Sequence, residues 1–281
     1  MELGANEYIV AVTQNLVDFI STMDTPPTWE LNIWYHTLNC GFRTRISGET
    51  DFPCMSDEEV AHGRSYVKLD SGLNFNDWTE GLKLGRTYVS EGKSHIMDFK
   101  VNNVEVGTKN SELMISESAE VTITAKVAAM LNEKIDSTVK PLNVHENIWA
   151  QMPFWTLDRA RVGYSRNVMV ELVVNGIAID KKMILADGNV QDIRFQTKID
   201  KSSWVALRIL PSSHTNPIFV IINNKPIRAN KKSAEWCLNA VDVCWNHKEN
   251  KISEKEKAVA RKDYDIAKKV YQQIINDFDE K

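Results

Sequence analysis

The chain has 281 residues, 43% apolar and 26% charged, the proportions of an ordinary folded protein with a sizeable core. A formal net charge of −4 lacks the basic field of a dedicated nucleic-acid binder. No apolar run reaches the roughly 20 residues that span a bilayer, so neither nucleic acid nor membrane is expected as a partner.

Ile9, Val12, Leu16 and Phe19 recur at helical spacing, and residues 18–22 then read as a short buried strand. Thr25-Pro26-Pro27-Thr28 suits a helix start, because Thr caps well and Pro fits the first turn. Leu31, Trp34, Tyr35 and Leu38 give that helix an apolar face, and Gly41 is placed to end it. A strand near residues 42–46 follows, then the loop Ser47–Cys54. Helix, strand, helix, strand is a parallel α/β pattern, and two strands are too few to bury their own faces. The pattern therefore predicts a domain truncated on its N-terminal side. It also predicts that an apolar face of one of these helices stays open, to be covered by self-association into a homo-oligomer.

A helix over residues 76–84 leads through Gly85-Arg86 to a strand at 87–90. Residues 121–125, 168–174, 193–199, 205–210 and 218–222 are β-branched, often alternating stretches, which predict an antiparallel β-sandwich. Asn175-Gly176 and Asp187-Gly188 are tight-turn signals. From Ser233 the chain turns helical, first with a stripe of Trp236, Ala240, Val243 and Cys244. Ser253-Glu254-Lys255-Glu256 is a capping box that opens a last helix packed through Ala260, Tyr264, Ala267, Tyr271 and Ile274. The expected class is α+β: an α/β segment over 1–92, a β-sandwich domain over 93–230 and a helical extension over 231–281 packed on the rest.

Four cysteines do not make a disulfide framework. Cys237 and Cys244 lie ~10 Å apart along one helix axis, beyond disulfide reach; Cys40 and Cys54 sit in loop-like sequence and are free to meet. No zinc-type cysteine spacing occurs, and the compartment is left open.

The loop Gly48-Glu49-Thr50-Asp51 directly follows a predicted strand of the α/β segment, where such folds gather their ligands. A carboxylate there can bind a divalent metal and help to produce hydroxide; the plainer reading is a polar turn. Glu7 poses the same choice, since acids in a first helical turn suit the helix dipole. Glu49 in the Gly48–Asp51 loop, His36 on a largely apolar helix and His214 in the polar loop Pro211–Pro217 are each candidates for a substrate-contacting or a structural role. His95 fits a structural role. No acid partner completes a Ser-His arrangement at His214.

The stretches Asp24-Thr25-Pro26-Pro27, Trp29–His36, Leu38–Arg43, Ser47–Cys54, Gly85–Gly92, Ser202–Arg208 and His214–Pro217 closely resemble the late catalytic domain and C-terminal region of CehA/McbA-type (carbaryl-hydrolase-like) metallohydrolases. These belong to the polymerase-and-histidinol-phosphatase (PHP) superfamily. The resemblance implies the remnant of a distorted α/β barrel, a small-molecule ester or phosphoester substrate, and divalent zinc, manganese or iron held by His, Asp and Glu. It implies that Asp51 is a late metal ligand and Glu7 an earlier one. The sequence departs from the family in having no His-x-His pair and in reading Asp51-Phe52-Pro53 where an Asp-x-His would stand. Two carboxylates without imidazole are a poor transition-metal site, so this chain is expected to hold no metal tightly and to be inactive alone. The alternative is a non-catalytic β-sandwich module that binds carbohydrate or a protein partner.

Overall fold

A computed structural model describes residues 6–50, 52, 60–70, 72–143 and 145–279. Helix α1 (Tyr8–Ala11) runs on as a tighter turn over Val12–Gln14 and stops at Asn15, whose φ of +55° is left-handed. Asn tolerates that conformation and so ends helices. The apolar spacing from Ile9 to Phe19 thus crosses a boundary: Leu16 is exposed, and Phe19 opens strand β1 (Phe19–Ser21).

Helix α2 (Pro27–Asn39) carries Pro27 in its first turn, while the cap position is Pro26 and no threonine caps it. Gly41 ends the helix at φ +98°, and a Cβ there would stand 2.8 Å from the Ile227 carbonyl oxygen. Strand β2 (Arg45–Ser47) starts later than expected and pairs in parallel with β1, Ile20 opposite Ile46 and Ser21 opposite Ser47. Its outer edge is taken by a side chain, since the Ile46 N–H donates to Asn216 Oδ1 at 3.0 Å.

Strand β3 (Arg64–Val67) and helix α3 (Phe75–Leu84) come next. Asn74 caps α3 by accepting from the Asp77 N–H at 3.0 Å, and Gly85 closes it at φ +71°. The strands that follow are β4 (Thr87–Ser90), β5 (Ser94–Val101), β6 (Val104–Glu105), β7 (Glu112–Ile115) and β8 (Ala119–Ala129). After them come β9 (Asn167–Val174), β10 (Ile177–Leu185), β11 (Gln191–Ile199), β12 (Ser203–Ile209), β13 (Ser213–Thr215) and β14 (Ile218–Ile222).

One sheet has the order β10-β9-β12-β13-β4-β3, with β14 and β7 branching from β12; the other has the order β11-β8-β5-β6. They stack across a core that includes Phe99, Ile123, Phe195, Leu172 and Leu207. All pairs in these sheets are antiparallel except β7 with β14, which is parallel, a correction to the purely antiparallel expectation. Asn175-Gly176 makes the β9–β10 hairpin. Asp187-Gly188 does not join paired strands, because it carries the chain from β10 in one sheet to β11 in the other.

Helices α4 (Lys231–Lys248) and α5 (Glu254–Asp279) complete the chain. Ser253 and Glu256 hydrogen-bond at the start of α5, which buries Tyr264, Ala267, Tyr271 and Ile274. The stripe of α4 is rotated from expectation. Ala234, Cys237, Val241, Cys244 and Trp245 are buried, and Val243 is exposed.

A second core joins α1, α2, the outer face of the larger sheet and α4–α5. Ile9, Val12, Leu31, Trp34 and Leu38 are all buried in it. The helix faces expected to lie open are therefore covered by this chain's own last helices, with the Tyr271 hydroxyl donating to the Ile9 carbonyl at 2.8 Å. The Cys40 thiol approaches Cys237 Sγ at 4.0 Å across this core, and Cys54 lies outside the described residues. Strands from either side of residue 92 share a sheet, and helices beyond residue 230 share a core with helices before residue 40. The molecule is a mixed α+β protein with C-terminal helices, and among the described residues there are three sheets, none of which closes into a barrel.

Candidate functional site

Strands β1 and β2 with the crossover helix α2 form a βαβ unit, and ligands of such units gather past the carboxyl ends of the strands. There Ser21 donates to Asp24 Oδ1 at 3.1 Å. The Thr22 N–H and hydroxyl both reach the Ser47 carbonyl at 3.2 Å. Glu30, in the first turn of α2, has its carboxyl raised to about 7 by burial and then by the charge of Asp24. Three polar atoms at this end are buried without a hydrogen-bond partner: Glu30 Oε2, Thr25 Oγ1 and Ser47 Oγ. Ser47, 7% exposed, is the register partner of Ser21. Their side chains therefore leave the strand pair on the same face.

Around this end, the described residues 48–50 and 62–65 are held by hydrogen bonds and close packing. The Gly63 N–H donates to Thr50 Oγ1 at 2.8 Å, and a Cβ on Gly63 would stand 2.1 Å from the Glu49 carbonyl oxygen. The Gly48 N–H donates to Ser65 Oγ at 2.9 Å. Trp155 donates its indole N–H to the Thr25 carbonyl at 3.1 Å, and His62 Nε2 donates to the Trp155 carbonyl at 2.6 Å. A carboxyl that ionises near neutrality can give or take a proton. Buried polar atoms without protein partners are ordinarily met by water or a ligand. This strand end holds both features.

The residues singled out from the sequence are dispersed. Asp51 lies outside the described residues. Glu7 pairs with Lys248 at 3.1 Å and accepts from the Tyr264 hydroxyl at 3.1 Å, so its carboxylate is engaged by α4 and α5. Glu49 is exposed beside Gly63. His36 bonds Ser233 Oγ at 3.0 Å and stacks on Trp236, and burial lowers its pKa. His95 bonds the Tyr88 hydroxyl at 2.7 Å.

His214 is fully buried in β13 rather than in a loop. Its Nδ1 donates to the Thr215 carbonyl at 2.7 Å, which leaves Nε2 to accept from the Tyr35 hydroxyl at 2.5 Å. Arg208 donates to that hydroxyl at 3.1 Å and to Glu171 at 2.7 Å. Burial, then the Arg208 charge, pushes His214 down to about 3, so the ring is neutral. Another polar cluster is likewise closed: Ser212 donates to Glu91 Oε1 at 2.9 Å, and Ser94 Oγ lies 2.6 Å from Ser212 Oγ and 2.7 Å from Ser213 Oγ, sharing its one hydroxyl hydrogen between them. Glu91 is 6% exposed and its carboxyl is raised by burial.

Asp24 and Glu30 were not singled out as site residues. Asp24, just past a strand and before Pro26-Pro27, carried a positional signal; Glu30 looked like any first-turn acid. Among the described residues, no three His, Cys, Asp or Glu side chains converge as a metal site. Compared with protein-family models, curated proteins and solved structures, the chain matches none.

Proposed function

We propose that this chain is the C-terminal part of a hydrolase for an ester or phosphoester, a remnant of a PHP-like barrel whose substrate end lies where β1 and β2 finish. The supporting observation is Glu30, a partly buried carboxyl raised to about 7 beside Asp24, with one oxygen lacking a partner. In this reading Glu30 takes a proton from an attacking water and returns it to the leaving oxygen, the work of a general base and then a general acid. Asp24, held by Ser21, keeps the Glu30 proton in place, and the Ser47 and Thr25 hydroxyls meet the substrate's polar atoms.

The zinc, manganese or iron implied by the resemblance does not fit these residues. Ser21, Asp24, Glu30 and Ser47 offer zinc and iron no imidazole or thiolate, and for manganese, which takes oxygen ligands, they supply two carboxylates where among the described residues no three His, Cys, Asp or Glu side chains converge. His62 commits Nε2 to the Trp155 carbonyl, and His36 and His214 are held in other contacts. The chain alone is therefore expected to turn over esters poorly.

The test is carbon-detected NMR titration of the side-chain carboxyls. Glu30 should titrate near 7, and Asp24→Asn should lower it toward the ordinary glutamate range. A Glu30 that titrates near 4.5 in the unaltered chain overturns the assignment.

A binding-module reading draws on a separate groove of about 260 Å³ between α2 and α4. Trp29 and Trp236 wall it, and Asn32 and Asn239 line it without a charged neighbour. Aromatic faces with carboxamides suit a neutral saccharide.

A further inference from the structure

Strand β10 is the last strand of the larger sheet. Strand β9 pairs one of its edges and, among the described residues, no strand pairs the other. Its nine residues contain no proline, and all but Ile184 are exposed. The exposed ones include Ile177, Ile179, Met183 and Leu185. An uncovered strand edge with apolar side chains is a template for pairing with another chain. A β-bulge between Ala178 and Asp180 lies toward one end and leaves Asp180–Leu185 regular.

The order of residues indicates what covers this edge. When two copies of Ile177–Leu185 run antiparallel about a twofold axis at Lys181, Asp180 of each falls opposite Lys182 of the other. The positions that lie clear of the bulge in both copies are Asp180, Lys181 and Lys182, so the regular contacts are two Asp180–Lys182 pairs, while residues 177–179 approach residues 183–185 across the bulge. Asp180 also accepts from the Lys181 N–H of its own chain at 2.7 Å. At the centre the two Lys181 side chains meet, each already opposite Glu171 on its own β9. A second copy about a twofold axis at Lys181 makes each opposite-charge contact twice, Asp180 to Lys182 and Lys182 to Asp180, which is what favours a copy of this chain over an unrelated strand.

We propose that the chain forms a symmetric dimer by antiparallel pairing of β10 with β10 of a second copy, in the register that sets Asp180 against Lys182. The interface is independent of the hydrolase reading, since β10 is at the far edge of the sheet from β3 and β4.

Sedimentation equilibrium on the full chain and three variants tests this. The unaltered chain is expected to be a dimer at micromolar concentration. Asp180→Lys and Lys182→Asp should each weaken dimerisation about tenfold or more, because each turns two attractions into repulsions. The double variant D180K/K182D should regain nearly the original affinity. Both residue changes lie at exposed positions, and unchanged far-ultraviolet circular dichroism checks that each variant is folded. A monomeric unaltered chain overturns the proposal. So does a dimer unmoved by either single reversal, or a double variant as weak as the singles.

Discussion

Two polar regions of this protein hold the residue types of catalysis and differ in what those residues have left to offer. Around His214, every polar group has a partner: ring, hydroxyl, guanidinium and carboxylate form one chain of bonds from Thr215 to Glu171. At the end of β1 and β2, Glu30, Thr25 and Ser47 keep buried oxygens without partners. The first arrangement holds α2 against the sheet. The second leaves hydrogen-bonding capacity unspent at the carboxyl end of two parallel strands. Residue identity does not separate the two regions; unsatisfied hydrogen-bonding capacity does.

Substitutions can break or sharpen this contrast. The largest effect is expected in the satisfied region: Arg208→Ala strands Glu171 and removes a bond to the Tyr35 hydroxyl, and should cost about 3 kcal/mol in urea denaturation. A cost below about 1 kcal/mol would mean that the network is decorative.

The next effect concerns Glu30 and has an unusual sign. Its folded pKa of about 7 exceeds its ordinary value of 4.5, so the folded state binds the proton more tightly. That stabilisation is full below pH 4.5 and is lost as pH rises through about 7. Glu30→Gln, which stays neutral, should therefore stabilise the protein at pH 8 by about 2 kcal/mol after a discount for partial exposure. It should change little at pH 4.5. Melting curves at both pH values decide it, and a variant destabilised equally at both contradicts the raised carboxyl.

The smallest effect separates two buried serines. Ser212→Ala removes a donor to the buried Glu91 and should cost about 2 kcal/mol. Ser47→Ala removes an oxygen with no partner, so it should shift stability by no more than about 0.5 kcal/mol. Equal losses at the two positions would show that Ser47 is satisfied after all.

The strands were legible where their signal is local. Residues 121–125, 168–174, 193–199 and 218–222 lie within β8, β9, β11 and β14, and residues 205–210 overrun the end of β12 by one, because a two-residue alternation is written in the strand itself. Strand β10 was harder to see, since an edge strand exposed on both faces has no buried face to alternate with. The last helices are expected from the sequence to pack on the rest, but that they cover α1 and α2 is not legible there, because these contacts join residues 194 to 262 positions apart. The site was only half legible for a similar reason. A strand end could be located, but the Glu30 pKa depends on how deeply α2 is packed and on Asp24 across a turn. His214 drew notice as a polar-loop residue, and only the sheet shows that its loop is a buried strand.

The bond from Tyr271 to Ile9 joins residues 262 positions apart. A ribosome adding roughly 5–20 residues per second needs on the order of 10–50 s to travel that distance. During that interval Ile9, Leu31, Trp34 and Leu38 have been made and α5, which is to cover them, has not. A nascent chain stalled before α5 should be a strong client for hydrophobic-binding chaperones. A chain that has completed α5 should cease to be one.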